Sequence, residues 1–143
     1  MATMNLTKDG FEKRITDLGT IGGEWQYIGN KPAVIDFYAP WCGPCKMLSP
    51  ILEELSEEYS ERIDIYKVNV DNEEELSTLL GIRSVPTLFF IPMQSEPQKA
   101  IGALSKQQLK KIFEDYCSRI FTMTKYDKFS FTYFENSSRF KIS

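Results

Sequence analysis

The stretch "AVIDFYAPWCGPCKMLSPILEELSEEYSER" constrains the chain more than any other, because its hydrophobic period changes once within a few residues. "AVIDFYA" is a continuous apolar run of strand length, closed by Pro40, and reads as a buried strand. From Pro44 onward apolar residues recur at Met47/Leu48, Ile51/Leu52, Leu55 and Tyr59, the stripe of an amphipathic helix, with Pro50 expected to kink it. One charged residue, Asp36, stands inside the apolar run six positions before Cys42. Burying a lone carboxylate is expensive, so a use for it is expected.

The flanking segments supply the other layers. "TKDGFEKRITDL" predicts a helix with Thr7 as N-cap and Phe11, Ile15 and Leu18 on one face. The glycine-rich "GTIGGEWQYIGNKP" reads as a loop holding a short helical turn at 25–28, and its glycines follow no strand, which discounts a phosphate loop. "IDIYKVNVD" is a second buried strand; "NEEELSTLLGI" is a helix with acidic residues in its first turn and Gly81 as C-cap. "PTLFFI" and "QKAIG" are strands joined through "PMQSEP", and "SKQQLKKIFEDYC" is a closing helix with Ser105 as N-cap and Leu109, Ile112, Phe113 and Tyr116 on one face. The order α-β-α-β-α-β-β-α predicts helices on both faces of a mixed sheet.

At 143 residues the chain reads as one domain over residues 1–117 and an extension over 118–143. Its body is acidic, with 12 Lys/Arg against 18 Asp/Glu in residues 1–117, which argues against a nucleic-acid partner. No apolar run approaches the ~20 residues of a spanning helix, and the N-terminus lacks a secretory apolar stretch. Histidine is absent, which removes Cys/His nucleophile pairs and histidine metal ligands together. Chemistry must then run on cysteine, carboxylate or lysine.

Cys42 and Cys45 stand at i and i+3 on a strand-to-helix turn, with both sulfurs on one side of the first turn and close enough to bridge. Free N–H groups and the positive helix end favour a thiolate on the first cysteine. Pro44 fits the first helical position, and Gly43 leaves the approach to Cys42 open. Cys42 is therefore the expected nucleophile and Cys45 the resolving thiol. The alternative is half a zinc site, which without a second pair or a histidine needs a dimer to share the metal.

In order and spacing, "VIDFYA", "WCGPCK", "PILEEL", "GIRSVPT" and "IGALSK" resemble the thioredoxin family, in its bacterial form, over roughly residues 5–117 with a longer link before the central strand. The resemblance implies an α/β thioredoxin fold, a central mixed β-sheet flanked by helices on both faces. It implies a general protein-disulfide reductase whose redox-active center is the Cys42–Cys45 disulfide, with no further cofactor and no metal. Thioredoxin reductase would recharge it, and disulfide-containing proteins would be its substrates. A cytoplasmic monomer serving electron transport and cell redox homeostasis is expected, with no membrane partner.

Carried over by position, Asp36 becomes the buried acid that exchanges a proton with Cys45 through a water, and Lys67 the lysine paired with it. Burial should raise the Asp36 pKa toward neutrality. Val85–Pro86 matches a cis-proline turn whose backbone meets an extended substrate, with Trp41, Gly43, Pro44, Val70, Gly102 and Ala103 around the groove. Plainer readings stay open: a strand-edge Asp36, a snorkelling Lys67, a trans Pro86 and a Val70 that belongs to the core. The uncharged Gly-Pro dipeptide points to a reductant. An oxidase or isomerase is the rival within catalysis, and a non-catalytic binding scaffold the rival outside it.

The chain departs from the family after Cys117. Residues 118–143 hold seven of the nineteen aromatic residues, with five Lys/Arg against two Asp/Glu, and Phe129, Phe131 and Tyr133 alternate as on one strand face. A docking tail is one reading and an extension without a defined role the other. Cys117 reads as a passive thiol at a helix end.

Overall fold

The computed structural model describes residues 3–117. Five strands form one sheet in the order β1-β3-β2-β4-β5. The central strand is β2 (Ala33–Tyr38), flanked by β3 (Asp64–Asn69) in parallel and β4 (Thr87–Ile91) antiparallel. β5 (Gln98–Ile101) pairs antiparallel with β4, and the short β1 (Met4–Asn5) pairs in parallel with β3. The sheet is mixed and carries helices on both faces, which is the expected α/β architecture.

The faces follow from strand alternation. Val34, Ile65, Leu88, Phe90 and Ala100 point into a core closed by α2 (Gly43–Glu58) through Leu48, Leu52 and Leu55 and by α4 (Lys106–Cys117) through Leu109, Ile112 and Phe113. Ala33, Ile35, Phe37, Val68 and Phe89 point the other way, against Phe11 of α1 (Lys8–Arg14) and Leu76 of α3 (Glu74–Leu79). Each fully buried leucine or phenylalanine contributes about 1.5–3 kcal/mol to holding these layers together. α2 runs on through Pro50 to Glu58.

One element was not predicted and two local expectations are corrected. β1 was not legible, because two residues carry no period. α1 ends at Arg14, and Leu18 instead opens a 3₁₀ turn (Leu18–Thr20) whose first N–H groups are capped by the Asp17 side chain at Gly19. The helical turn expected at 25–28 is absent: Ile28 N–H reaches back to the Ile15 carbonyl, and the Thr16 hydroxyl donates to the Gln26 carbonyl, so the loop is pinned in an irregular path. The extension over 118–143 lies outside the described residues, as does the Cys117 side chain.

Candidate active site

The C-terminal end of β2 delivers the chain into the start of α2, and Cys42 is the N-cap of that helix. Gly43 takes the first helical position and Pro44 the second, one place later than the sequence predicts. Cys42 and Cys45 are joined as a disulfide with their Cα atoms 5.3 Å apart. The Cys45 backbone N–H donates to Cys42 Sγ at 3.2 Å. When the bond opens, that donor and the helix N-terminus favour negative charge on Cys42. Cys45 has no such position, since it already lies inside the first turn.

Both cysteines are buried, yet their surroundings differ. Beside Cys42, Trp41 is 70% exposed and a Cβ added to Gly43 would meet no atom within 4 Å, so the chain on either side of this cysteine faces open space. Val85 and Val70 pack against the cysteine pair, and the Val85 carbonyl lies 3.7 Å from Cys42 Sγ. The Val85–Pro86 peptide is cis. Gly102 donates its N–H to the Pro86 carbonyl at 2.8 Å from a backbone with φ +97, a conformation that favours glycine. Ala103 follows it, exposed. Trp41, Val70 and Val85 line a cleft of about 170 Å³ together with Ile82, Arg83 and Ser84.

Asp36 lies on the β2 face that α2 covers and is completely buried. Neither carboxylate oxygen has a hydrogen-bond partner. Burial pushes its pKa up to about 7, and the positive charge of Lys67 opposes the rise. Lys67 is the register partner of Asp36 on β3, but it makes no hydrogen bond to the carboxylate. Its Nζ donates to Ser49 Oγ at 2.9 Å and sits 4.7 Å from the centre of the Tyr38 ring.

The structure adds residues that sequence reasoning missed. Asp71 accepts from the Trp41 indole N–H at 3.1 Å and fixes the ring beside Cys42. Ile82, Arg83 and Ser84 complete the cleft, and the quoted "GIRSVPT" was the signal that could have found them. Ser49 gave no signal, because its partner is on another element. Among the described residues no group of three or more His, Cys, Asp or Glu converges as a metal site, and no helix is long and apolar enough to cross a membrane.

The thioredoxin family model matches residues 2–115. A thioredoxin of Borreliella burgdorferi is 43% identical over 113 residues, which are 79% of this chain and 96% of that one. A thioredoxin of Alicyclobacillus acidocaldarius is 36% identical over 114 residues, covering 80% and 97%. A chloroplastic M-type thioredoxin of Spinacia oleracea is 42% identical over 61% of this chain, and the match spans 48% of its own length. The crystal structure of chloroplastic thioredoxin z superposes with a TM-score of 0.67 at 26% identity, over 81% of this chain and 95% of that one. The chain belongs to the thioredoxin family, and its bridged CxxC pair makes it a thiol-disulfide oxidoreductase.

Proposed function

We propose that the protein reduces disulfides in other proteins, with Cys42 as nucleophile and Cys45 as resolving thiol. The Cys42 thiolate attacks one sulfur of a substrate disulfide; a Cys42–substrate bond forms and the other substrate sulfur leaves as a thiolate. Asp36 takes the Cys45 proton, and the Cys45 thiolate attacks Cys42 Sγ, forming the Cys42–Cys45 bond and releasing the second substrate thiolate. Two electrons have passed to the substrate. A dithiol-regenerating partner of the thioredoxin reductase kind returns the pair to its reduced form. The observation that carries this reading is the asymmetry of the pair: only Cys42 caps the helix and accepts the N–H bond.

Trp41, Gly43, Pro44, Val70, Val85, Pro86, Gly102 and Ala103 form the surface on which the substrate segment is read, largely through backbone groups. The cytoplasm is the compartment we assign, because a reduced dithiol is maintained there. A monomer without nucleic-acid or membrane partners fits the acidic body. Cys45→Ser should trap a mixed disulfide through Cys42, separable on a non-reducing gel, whereas Cys42→Ser should trap little. Equal trapping by both variants would reverse or abolish the assignment.

A further inference from the structure

Asp36 and Lys67 are register partners on neighbouring parallel strands, on the same sheet face. A lysine ammonium is a compact charge on a flexible stem, and beside a buried carboxylate it would ordinarily turn toward that carboxylate or toward water. It does neither. Lys67 Nζ is held by Ser49 Oγ at 2.9 Å and by the face of Tyr38, while both Asp36 oxygens stay without partners. Ser49 stands four residues after Cys45 on α2, so its hydroxyl lies one turn below the resolving thiol on the same helix face.

We propose that Ser49 is a positioning residue, whose hydroxyl anchors the Lys67 ammonium beside Asp36 but off its oxygens, so that the carboxyl feels a fixed positive charge and still exchanges its proton. The inference rests on the reading of Asp36 as proton carrier and adds the device that sets its proton affinity. A direct ion pair would hold Asp36 ionised and leave it no proton to return to Cys45. With no cation nearby, burial would hold it protonated and unable to accept one. An offset cation keeps both states within reach, and the opposing effects of burial and Lys67 on this carboxyl agree with that placement. Lys67 on β3 is the charged group that acts on it, and Tyr38, at the next position on the same face of β2, packs on that lysine. β4 presents Leu88, and α4 presents Leu109, Ile112 and Phe113 to the same core.

The test is a carboxyl titration of Asp36 by carbon-13 NMR on the full-length protein, in the Ser49→Ala, Ser49→Thr, Lys67→Met and doubly substituted forms. Ser49→Ala should raise the Asp36 midpoint by about 0.5 pH unit or more as Lys67 drifts to solvent. Ser49→Thr, which keeps the hydroxyl, should restore it. Lys67→Met should raise it further, and in that background Ser49→Ala should add nothing. An unmoved midpoint, a fall as Lys67 swings onto Asp36, or a Ser49 effect that survives in Lys67→Met would overturn the proposal. The pH profile of mixed-disulfide resolution, measured on the same variants, isolates the underlying reading. If the midpoint moves as expected and the rate profile does not follow, Ser49 positions Lys67 but Asp36 is not the proton carrier.

Discussion

The two faces of β2 are built from adjacent residues and do opposite things. Toward α1 and α3 the strand presents Ala33, Ile35 and Phe37, and Phe37 packs on Phe89 with ring centres 5.1 Å apart at a 60° tilt. Toward α2 it presents Val34 and then Asp36, as fully buried as Phe37. One step along the chain passes from a side chain whose burial stabilises to one whose burial costs, because consecutive strand residues point to opposite faces. The fold separates these by parity: the α1/α3 face of β2 is apolar throughout, and the α2 face, also a core, gives one of its positions to a buried acid.

The comparison is broken most directly at the reactive end of the α2 face. Cys42→Ser should lower insulin-reduction turnover by at least about a thousandfold, since the remaining Cys45 lacks the N-cap position and a single thiol cannot complete the exchange. Its melting temperature in reducing buffer should stay close to that of the parent. The opposite face should respond in the opposite sense. Phe37→Ala should destabilise by about 3–5 kcal/mol in urea unfolding, through lost apolar burial and the cavity left beside Phe89. The folded fraction should turn over within about threefold of the parent, and a larger loss would mean that the faces are not separable.

Asp36 sharpens the contrast through pH. Its carboxyl titrates near 3.8 when unfolded and near 7 in the folded protein. Between those values the native state keeps a proton that the unfolded state has lost. The stability from this group is fully present below pH 4 and is lost as pH rises through 7, at up to about 1.4 kcal/mol per pH unit. Asp36→Ala removes the effect. The variant should gain about 4 kcal/mol on the parent between pH 4 and pH 8, while its disulfide reduction slows. A gap that does not change with pH would show that Asp36 is not the titrating group.

How far this division was legible in the sequence depends on how local each signal is. β2 and α2 were readable because a continuous apolar run of strand length and a 3.6-residue apolar stripe are each written in consecutive residues, and Asp36 stood out as the one charge within that run. Cys42 was expected at the start of α2, but the capping register was one residue off, because Pro44 fits either of the first two helical positions. The anchor of Lys67 was not readable: "IYKVNVD" admits pairing with Asp36 as easily as with Ser49, and only the distance between β3 and the second turn of α2 decides. The Trp41–Asp71 bond spans thirty residues and was missed for the same reason. The turn expected at 25–28 failed because that segment's path is set from outside it, by the Ile15 carbonyl and the Thr16 hydroxyl.

The smallest expected effect comes from residues 118–143, outside those the structure describes. Every side chain given a chemical role lies between Asp36 and Ala103, and among the described residues the two cores reach as far as Phe113. The Borreliella burgdorferi thioredoxin is matched over 96% of its length by 113 residues of this chain, so a relative of essentially this body stands without a comparable extension. Truncation after Cys117 should therefore keep turnover of a small disulfide within about threefold, under about 1 kcal/mol of barrier. The seven aromatic residues in 118–143 nonetheless predict a change in association, and light scattering at high concentration should fall when they are removed. Loss of most activity on truncation would mean that the two-faced body is incomplete and that the extension belongs to the working site.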